Sequence, residues 1–196
     1  MTANKHFKRR VRDRARRTGE SYTAALRHLR RSDAREHLMQ WQRIEKSDFG
    51  YAVQVPPGWD EHPPDLENSP LETARFADPA DRRHSLVVFR GLPRPGLSAV
   101  QAAERTQPVL AAAGFGAFQI TGTQVAGQPG ARLDCARQAG PTAPGTTAAG
   151  RVWTVREYFV VRGDVRFVLG CGTFVPEEDD SLFTVMAERF EILSPA

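Results

Sequence analysis

Eight basic side chains stand within the first seventeen residues: Lys5, Lys8, Arg9, Arg10, Arg12, Arg14, Arg16 and Arg17. A guanidinium fork matches phosphate oxygens in a way that an ammonium point charge does not. Neutralising phosphates also releases counterions, so such a face binds RNA or DNA without sequence preference and weakens steeply with salt. These eight are the expected polyanion-binding residues, with a nucleic acid or ribosome as partner. The first forty residues carry twelve Lys/Arg against four Asp/Glu, a net +8, which leaves fifteen against nineteen, a net −4, for residues 41–196. The overall charge of +4 therefore joins two oppositely charged parts. Two other surfaces would suit the basic run. One is an acidic protein surface, this chain's own body included; the other is an anionic membrane, which fits less well because the apolar stripe is narrow and holds no tryptophan.

The remaining constellations point away from catalysis. Glu177-Glu178-Asp179-Asp180 could be read as a cation site, but consecutive carboxylates ahead of an apolar helix suit its positive end. His6, His28, His37, His62 and His84 have no i, i+4 partner that would make a zinc site. Gly114-Phe115-Gly116 and Gly170-Cys171-Gly172 are isolated fragments, and neither sits between a strand and a helix as a phosphate cradle must. No G-x-S-x-G, Walker lysine or nucleophile–base pair occurs. The reading is a non-enzymatic protein with no catalytic residue, metal or cofactor. For a protein partner, the expected rim is Trp41, Trp153 and Tyr158 beside the loop over 60–70. Cys135 and Cys171 read as buried free thiols, with their mutual distance left open.

These residues need a scaffold. A chain of 196 residues with 40% hydrophobic and 26% charged content suits one well-cored domain plus an appendage. No stretch approaches the roughly 20 apolar residues of a membrane span. The charged start lacks the apolar run of a signal peptide and no lipidation pattern occurs, so the expectation is cytoplasmic.

Residues 1–40 are expected to form a helical arm. Phe7, Val11 and Ala15 make a narrow stripe, Gly19 a stop and Ser21 a cap. Tyr22, Ala25, Leu26 and Leu29 follow at the spacing of one buried helical face, and Ser32 and Asp33 can cap a short third helix running to about Met39.

From Trp41 to Ala196 a second domain is expected. Strands are predicted over 49–55, 72–77, 85–90, 118–125, 130–137, 151–162 and 164–174. Residues 60–70 read as a loop, Asp78 to His84 as a polar turn, and Ala139 to Gly150 as a long hairpin connection. Helices are predicted over 97–113, kinked or divided at Pro108, with Val100, Ala103 and Gln107 on one side, and over 180–190, with Leu182, Val185 and Met186 inward. The fold class is α+β, an antiparallel sheet sandwiched by helices and preceded by the basic helical arm.

Phe49-Gly50-Tyr51-x-Val53-x-Val55-Pro56-Pro57-Gly58-Trp59 resembles the opening strand and "vPpGW" turn of PsbP-like proteins. The strand series and the Phe190-Glu191-Ile192-Leu193 ending fit the same plan and resemble the LpqN type of actinobacteria. The resemblance spans roughly 41–193 and implies an α/β/α sandwich that serves as a binding or adaptor module. Members of the family assist photosystem assembly, bind a small nuclear-transport GTPase or chaperone secreted effectors, and no shared active site comes with the fold. The chain lacks the signal sequence and acylated cysteine of the lipoprotein members, so anchoring does not carry over. The arm, around Arg14-x-Arg16-Arg17-Thr18-Gly19-Glu20-Ser21-Tyr22, resembles short basic modules at actinobacterial N-termini. It also resembles the helical half of ribbon-helix-helix antitoxins, but without the strand that reads DNA.

Overall fold

A computed structural model describes residues 41–79, 84–92, 95–138 and 152–193, together with Arg12 and Tyr22. The chain divides into two units, 1–40 and 41–196. Of the expected arm, Arg12 and Tyr22 are both helical and exposed. The other seven basic residues named above, the stripe, the caps and the third helix lie outside the described residues.

The second unit begins with β1 (Gln42–Lys46), a strand the sequence reading did not separate from its surroundings. A 3-10 turn over Ser47–Phe49 follows and closes on Gly50 at φ 74°. That left-handed backbone is cheap only for glycine, so β2 (Tyr51–Val55) starts two residues later than expected. The 60–70 segment is not all loop, because β3 (Asp60–His62) pairs with β4 (Glu72–Ala77). After β5 (His84–Gly91) comes α1 (Ala99–Ala112), which opens on a capping box. Ser98 Oγ accepts from the Gln101 N–H at 3.2 Å, and Gln101 returns the bond to the Ser98 N–H at 2.9 Å.

Pro108 does not divide helix α1, which runs through it as one element. Pro108 is exposed, where water can satisfy the carbonyl freed by its missing N–H. The buried stripe is Ala99, Ala102 and Ala103, while Val100 faces outward. Small side chains on that stripe let the helix lie close to the sheet.

Four long antiparallel strands carry the rest: β6 (Gly116–Val125), β7 (Gln128–Gln138), β8 (Val152–Arg162) and β9 (Val165–Thr173). Ala126 and Gly127, both at positive φ, form the two-residue β6–β7 turn, a backbone that matches the twist of the strands. Gln138 pairs with Val152, so the Ala139 to Gly150 segment joins hairpin neighbours and itself lies outside the described residues. Helix α2 (Pro176–Glu188) starts four residues before the expected position, with proline in its first turn, and β10 (Glu191–Ile192) ends the domain.

Seven strands form one antiparallel sheet in the order β3-β4-β5-β9-β8-β7-β6, and β1-β2-β10 form a second. Alternation along each strand sends side chains to two faces. Leu86, Val88, Tyr158, Val160, Phe167 and Leu169 face the small sheet and α2, where they meet Tyr51, Val53, Phe183, Met186 and Phe190. Ala131, Leu133, Phe159 and Val168 face α1. One outer layer is therefore a helix and the other a helix plus a three-stranded sheet. Sequence reading had assigned helices alone to both.

The same alternation settles the cysteines. Both are buried and free. Cys171 shares the α2 face with Leu169, while Cys135 follows Leu133 on the α1 face of a strand two places away. The sheet itself stands between them. Burial raises both thiols, Cys135 to about 12, so neither is a ready nucleophile.

Candidate functional site

The proline-turn tryptophan belongs to a buried polar cluster at one end of the sheet. Trp59 stacks on His84 with ring centroids 5.1 Å apart and planes at 10°. His84 pairs across the sheet with Thr173, and its Nδ1 lies 3.5 Å from Asp179 Oδ2. The Thr173 hydroxyl donates to that carboxylate at 2.6 Å and accepts from the Val175 N–H at 2.9 Å. Asp179 is thus the hinge pin of the first turn of α2, where the helix dipole favours a carboxylate. Asp180, next along, forms ion pairs with Arg156 at 2.8 Å and Arg132 at 3.3 Å, and both arginines also hold Asp134.

Asp179 and Asp180 of the acidic run therefore clamp α2 to β7, β8 and β9. Two of its members do more than the dipole role expected of them. Among the described residues no group of three His, Cys, Asp or Glu side chains is placed to hold a metal. A histidine–carboxylate pair can in principle serve as a general base. Here the hydroxyl on that carboxylate, Thr173, is wholly buried and already committed to Asp179.

A second unusual group stands on the α1 face. Glu157 sits in the middle of β8, opposite Leu133 on one side and Gly170 on the other. It is 7% exposed, and its Oε2 has no hydrogen-bond partner. Burial pushes the carboxyl up to about 7, and the Arg166 charge pulls in the opposite direction. Trp153 lies on the same face and packs edge-on against Phe174 at 4.6 Å. Gly170 and Gly172 account for the G-x-G fragment of the sequence. At i and i+2 of a strand they share one face, and they leave room for aromatic rings. A Cβ on Gly170 would come within 3.2 Å of Phe89, and one on Gly172 within 2.2 Å of Trp153.

Gly172→Ala is accordingly expected to displace Trp153 and cost about 1–3 kcal/mol. Urea titration of the double-mutant cycle with Trp153→Ala checks the cause. The cost should largely vanish in the Trp153→Ala background, and an undiminished cost would refute the ring contact as its origin.

A third feature is a groove of about 570 Å³ where α2 ends, lined by Gln54, Arg162, Glu188, Arg189, Glu191 and their neighbours. It shares no lining residue with the Trp59–His84 cluster. Arg189 reaches from the groove to stack over the Trp41 ring, 4.9 Å from its centroid. Arg43 donates to both Glu191 oxygens, holding that exposed carboxyl below its usual range.

The expected rim is not brought together. Trp41 is half-buried beside Arg189. Trp153 is half-buried on the α1 face, whereas Tyr158, of opposite parity on the same strand, is 1% exposed in the core facing α2. Its hydroxyl lies 3.4 Å from Thr184 Oγ1. Tyr158 is a packing residue because five positions along a strand reverses the face. Of the expected polyanion-binding residues, Arg12 is exposed on a helix and the rest lie outside the described residues. Glu157 was missed, although one signal was available: Trp153, Val155, Glu157, Phe159 and Val161 share a parity, and a lone acid stands in that apolar phase.

No family model matches the chain, and no curated protein does. Solved structures are similar in fold. Cyanobacterial PsbP (CyanoP) from Synechocystis sp. PCC 6803 aligns at TM-score 0.58 and 16% identity, over 79% of this chain and 94% of that one. The Ran-binding protein Mog1p of Saccharomyces cerevisiae aligns at 0.54 and 12%, over 80% and 97%. LpqN of Mycobacterium tuberculosis, described as involved in cell envelope biogenesis, aligns at 0.49 and 15%, over 82% and 94%. The fold is PsbP-like. Among the described residues no helix is long and apolar enough to cross a membrane.

Proposed function

We propose that this protein is a non-enzymatic binding or adaptor module: its basic arm docks on a polyanion without sequence preference, and its sandwich domain holds a protein partner. The observation that carries the reading is charge segregation, with +8 in the first forty residues and −4 in the rest. Self-attraction alone does not call for eight cations in seventeen residues, whereas a phosphate backbone with one charge per about 1.7 Å of duplex does. Support for the protein partner is weaker in kind. It comes from sharing a fold with a protein described as Ran-binding, and fold alone does not transmit a partner.

The test keeps the full chain and neutralises Lys8, Arg9, Arg10 and Arg12 to glutamine. Binding to generic RNA and duplex DNA is titrated at several salt concentrations. The parent should show a linear fall of log affinity with log salt, and the variant should lose about 0.7–0.9 of slope for each phosphate contact removed. An unchanged slope, or no salt-dependent binding by the parent, refutes the nucleic-acid half. Retained binding to an acidic protein in that case would favour the arm as a protein-docking element.

A further inference from the structure

From Thr106 to Ala131 the chain has no Asp, Glu, Lys, Arg or His, in a protein where charged residues make up 26%. The centre of that stretch is β6, and among the described residues β6 is the edge of the seven-stranded sheet. An exposed edge is a template for another strand, and proteins ordinarily blunt it with charges, proline or brevity. The other edges here follow that rule. β3 is three residues, Asp60, Glu61 and His62. β1 carries Arg43, Glu45 and Lys46, and β10 has two residues. β6 is ten residues long and carries neither charge nor proline.

The backbone groups that β6 offers can be read from its hairpin. The two-residue Ala126-Gly127 turn makes Val125 and Gln128 a hydrogen-bonded pair. Alternation then spends the N–H and C=O of residues 119, 121, 123 and 125 on β7 and points those of Phe118, Ile120, Gly122 and Gln124 outward. A bulge between Gly116 and Gln119, with Ala117 at φ 54°, ends the regular stretch there.

We infer that β6 is a self-association edge, and that its occupant is β6 of a second copy of this chain in antiparallel pairing about a two-fold axis at Thr121. In that register Phe118 meets Gln124 and Ile120 meets Gly122, so all four outward-pointing residues find partners. This supplies about eight backbone hydrogen bonds. A two-fold interface brings each residue near its own kind. A charged edge would therefore repel itself, and the charge-free span from 106 to 131 removes that penalty.

The layer above adds area. α1 presents Val109, 68% exposed, within the same uncharged span. Seven paired residues at about 3.4 Å each, under a sheet and a helix layer of about 10 Å apiece, would bury roughly 1,000 Å² in total. That is the low end of specific interfaces, so the dimer exchanges with monomer.

Sedimentation of the full chain from 1 to 200 µM tests this. The expected result is a monomer–dimer equilibrium within that range, weakened at least tenfold by Thr121→Lys, which places two like charges on the axis. Thr121 is exposed, and Thr121→Ser should leave the equilibrium unchanged. Thr121→Cys supplies an independent measure. A non-hydrogen-bonded antiparallel pair has its Cα atoms about 4.5 Å apart, within disulfide range, and both native thiols are buried. Mild oxidation should link Thr121→Cys copies at least tenfold faster than copies of Asp164→Cys, which is exposed in a turn. A monomer at 200 µM, a dimer indifferent to Thr121→Lys, or equal cross-linking at position 164 overturns the proposal.

Discussion

Replacing Phe167 with alanine should lower the free energy of unfolding by about 3–5 kcal/mol, the largest single effect expected in the domain. Phe167 joins the two sheets. Its ring meets Tyr51 of β2 edge-on at 5.7 Å and Phe190, just past α2, at 5.4 Å, while Tyr51 and Phe190 stack on each other at 5.4 Å. All three are at most 2% exposed. The Tyr51 hydroxyl is tied off against Thr73 at 3.0 Å, so the ring cannot easily swing into the void left by the truncation. A cavity then adds to the lost transfer free energy. Urea denaturation gives the number, and Phe167→Leu should recover more than half of it. A cost below about 1 kcal/mol for the alanine variant would mean that the small sheet does not depend on this cluster.

Glu157→Gln is expected to act in the opposite direction, and only when the pH is high enough. The carboxyl titrates near 7 in the folded protein, against about 4.3 for an exposed glutamate. Between those values the native state holds a proton that the unfolded state has released, so stability falls as pH rises through the window. Below it both states are protonated and nothing is lost. Above about 7 both are ionised and the full penalty applies, on the order of 3 kcal/mol. Glutamine has no proton to lose. The variant should therefore match the parent near pH 4 and exceed it by about 2–3 kcal/mol at pH 8. Chemical denaturation at both values tests this. A stability difference that does not change with pH would show that Glu157 ionises without cost, and that its environment in solution is wetter than its 7% exposure indicates.

Why a buried acid is kept at such a cost is a question for the α1 face. The groups around it do not form a catalytic set. Cys135 is pushed up to about 12 by its own burial first and by Glu157 second, the wrong direction for a nucleophile. Arg166, whose guanidinium lies beside Gly91 on the same face, acts on Glu157 only by favouring its ionised form.

Some of this protein was legible in its residues. Alternation placed β4, β5 and the four strands β6 to β9 within a few positions of their observed ends, because period-two patterning reports a half-buried strand whatever its neighbours are. The Val-Pro-Pro-Gly-Trp turn marked a strand end, since prolines forbid further sheet pairing, and its resemblance to PsbP-like proteins pointed to the fold. Other features were not legible for definite reasons. β1 reads Gln-Arg-Ile-Glu-Lys, an edge strand with one inward residue, and its identity as a strand comes from β2 beside it. Asp179 and Asp180 look alike in sequence. One became a buried partner of Thr173 and the other a surface anchor for two arginines, because a helix turns 100° per residue and the sheet lies on one side of it.

The chain by itself determined the fold class, the basic arm's composition and the absence of charge along 106–131, since each depends on residue type and local period. Tertiary structure alone decided that Cys135 and Cys171 are divided by a sheet, and that the uncharged strand is an edge. Those facts depend on which strand lies beside which, and strand order is set by contacts between residues far apart in sequence.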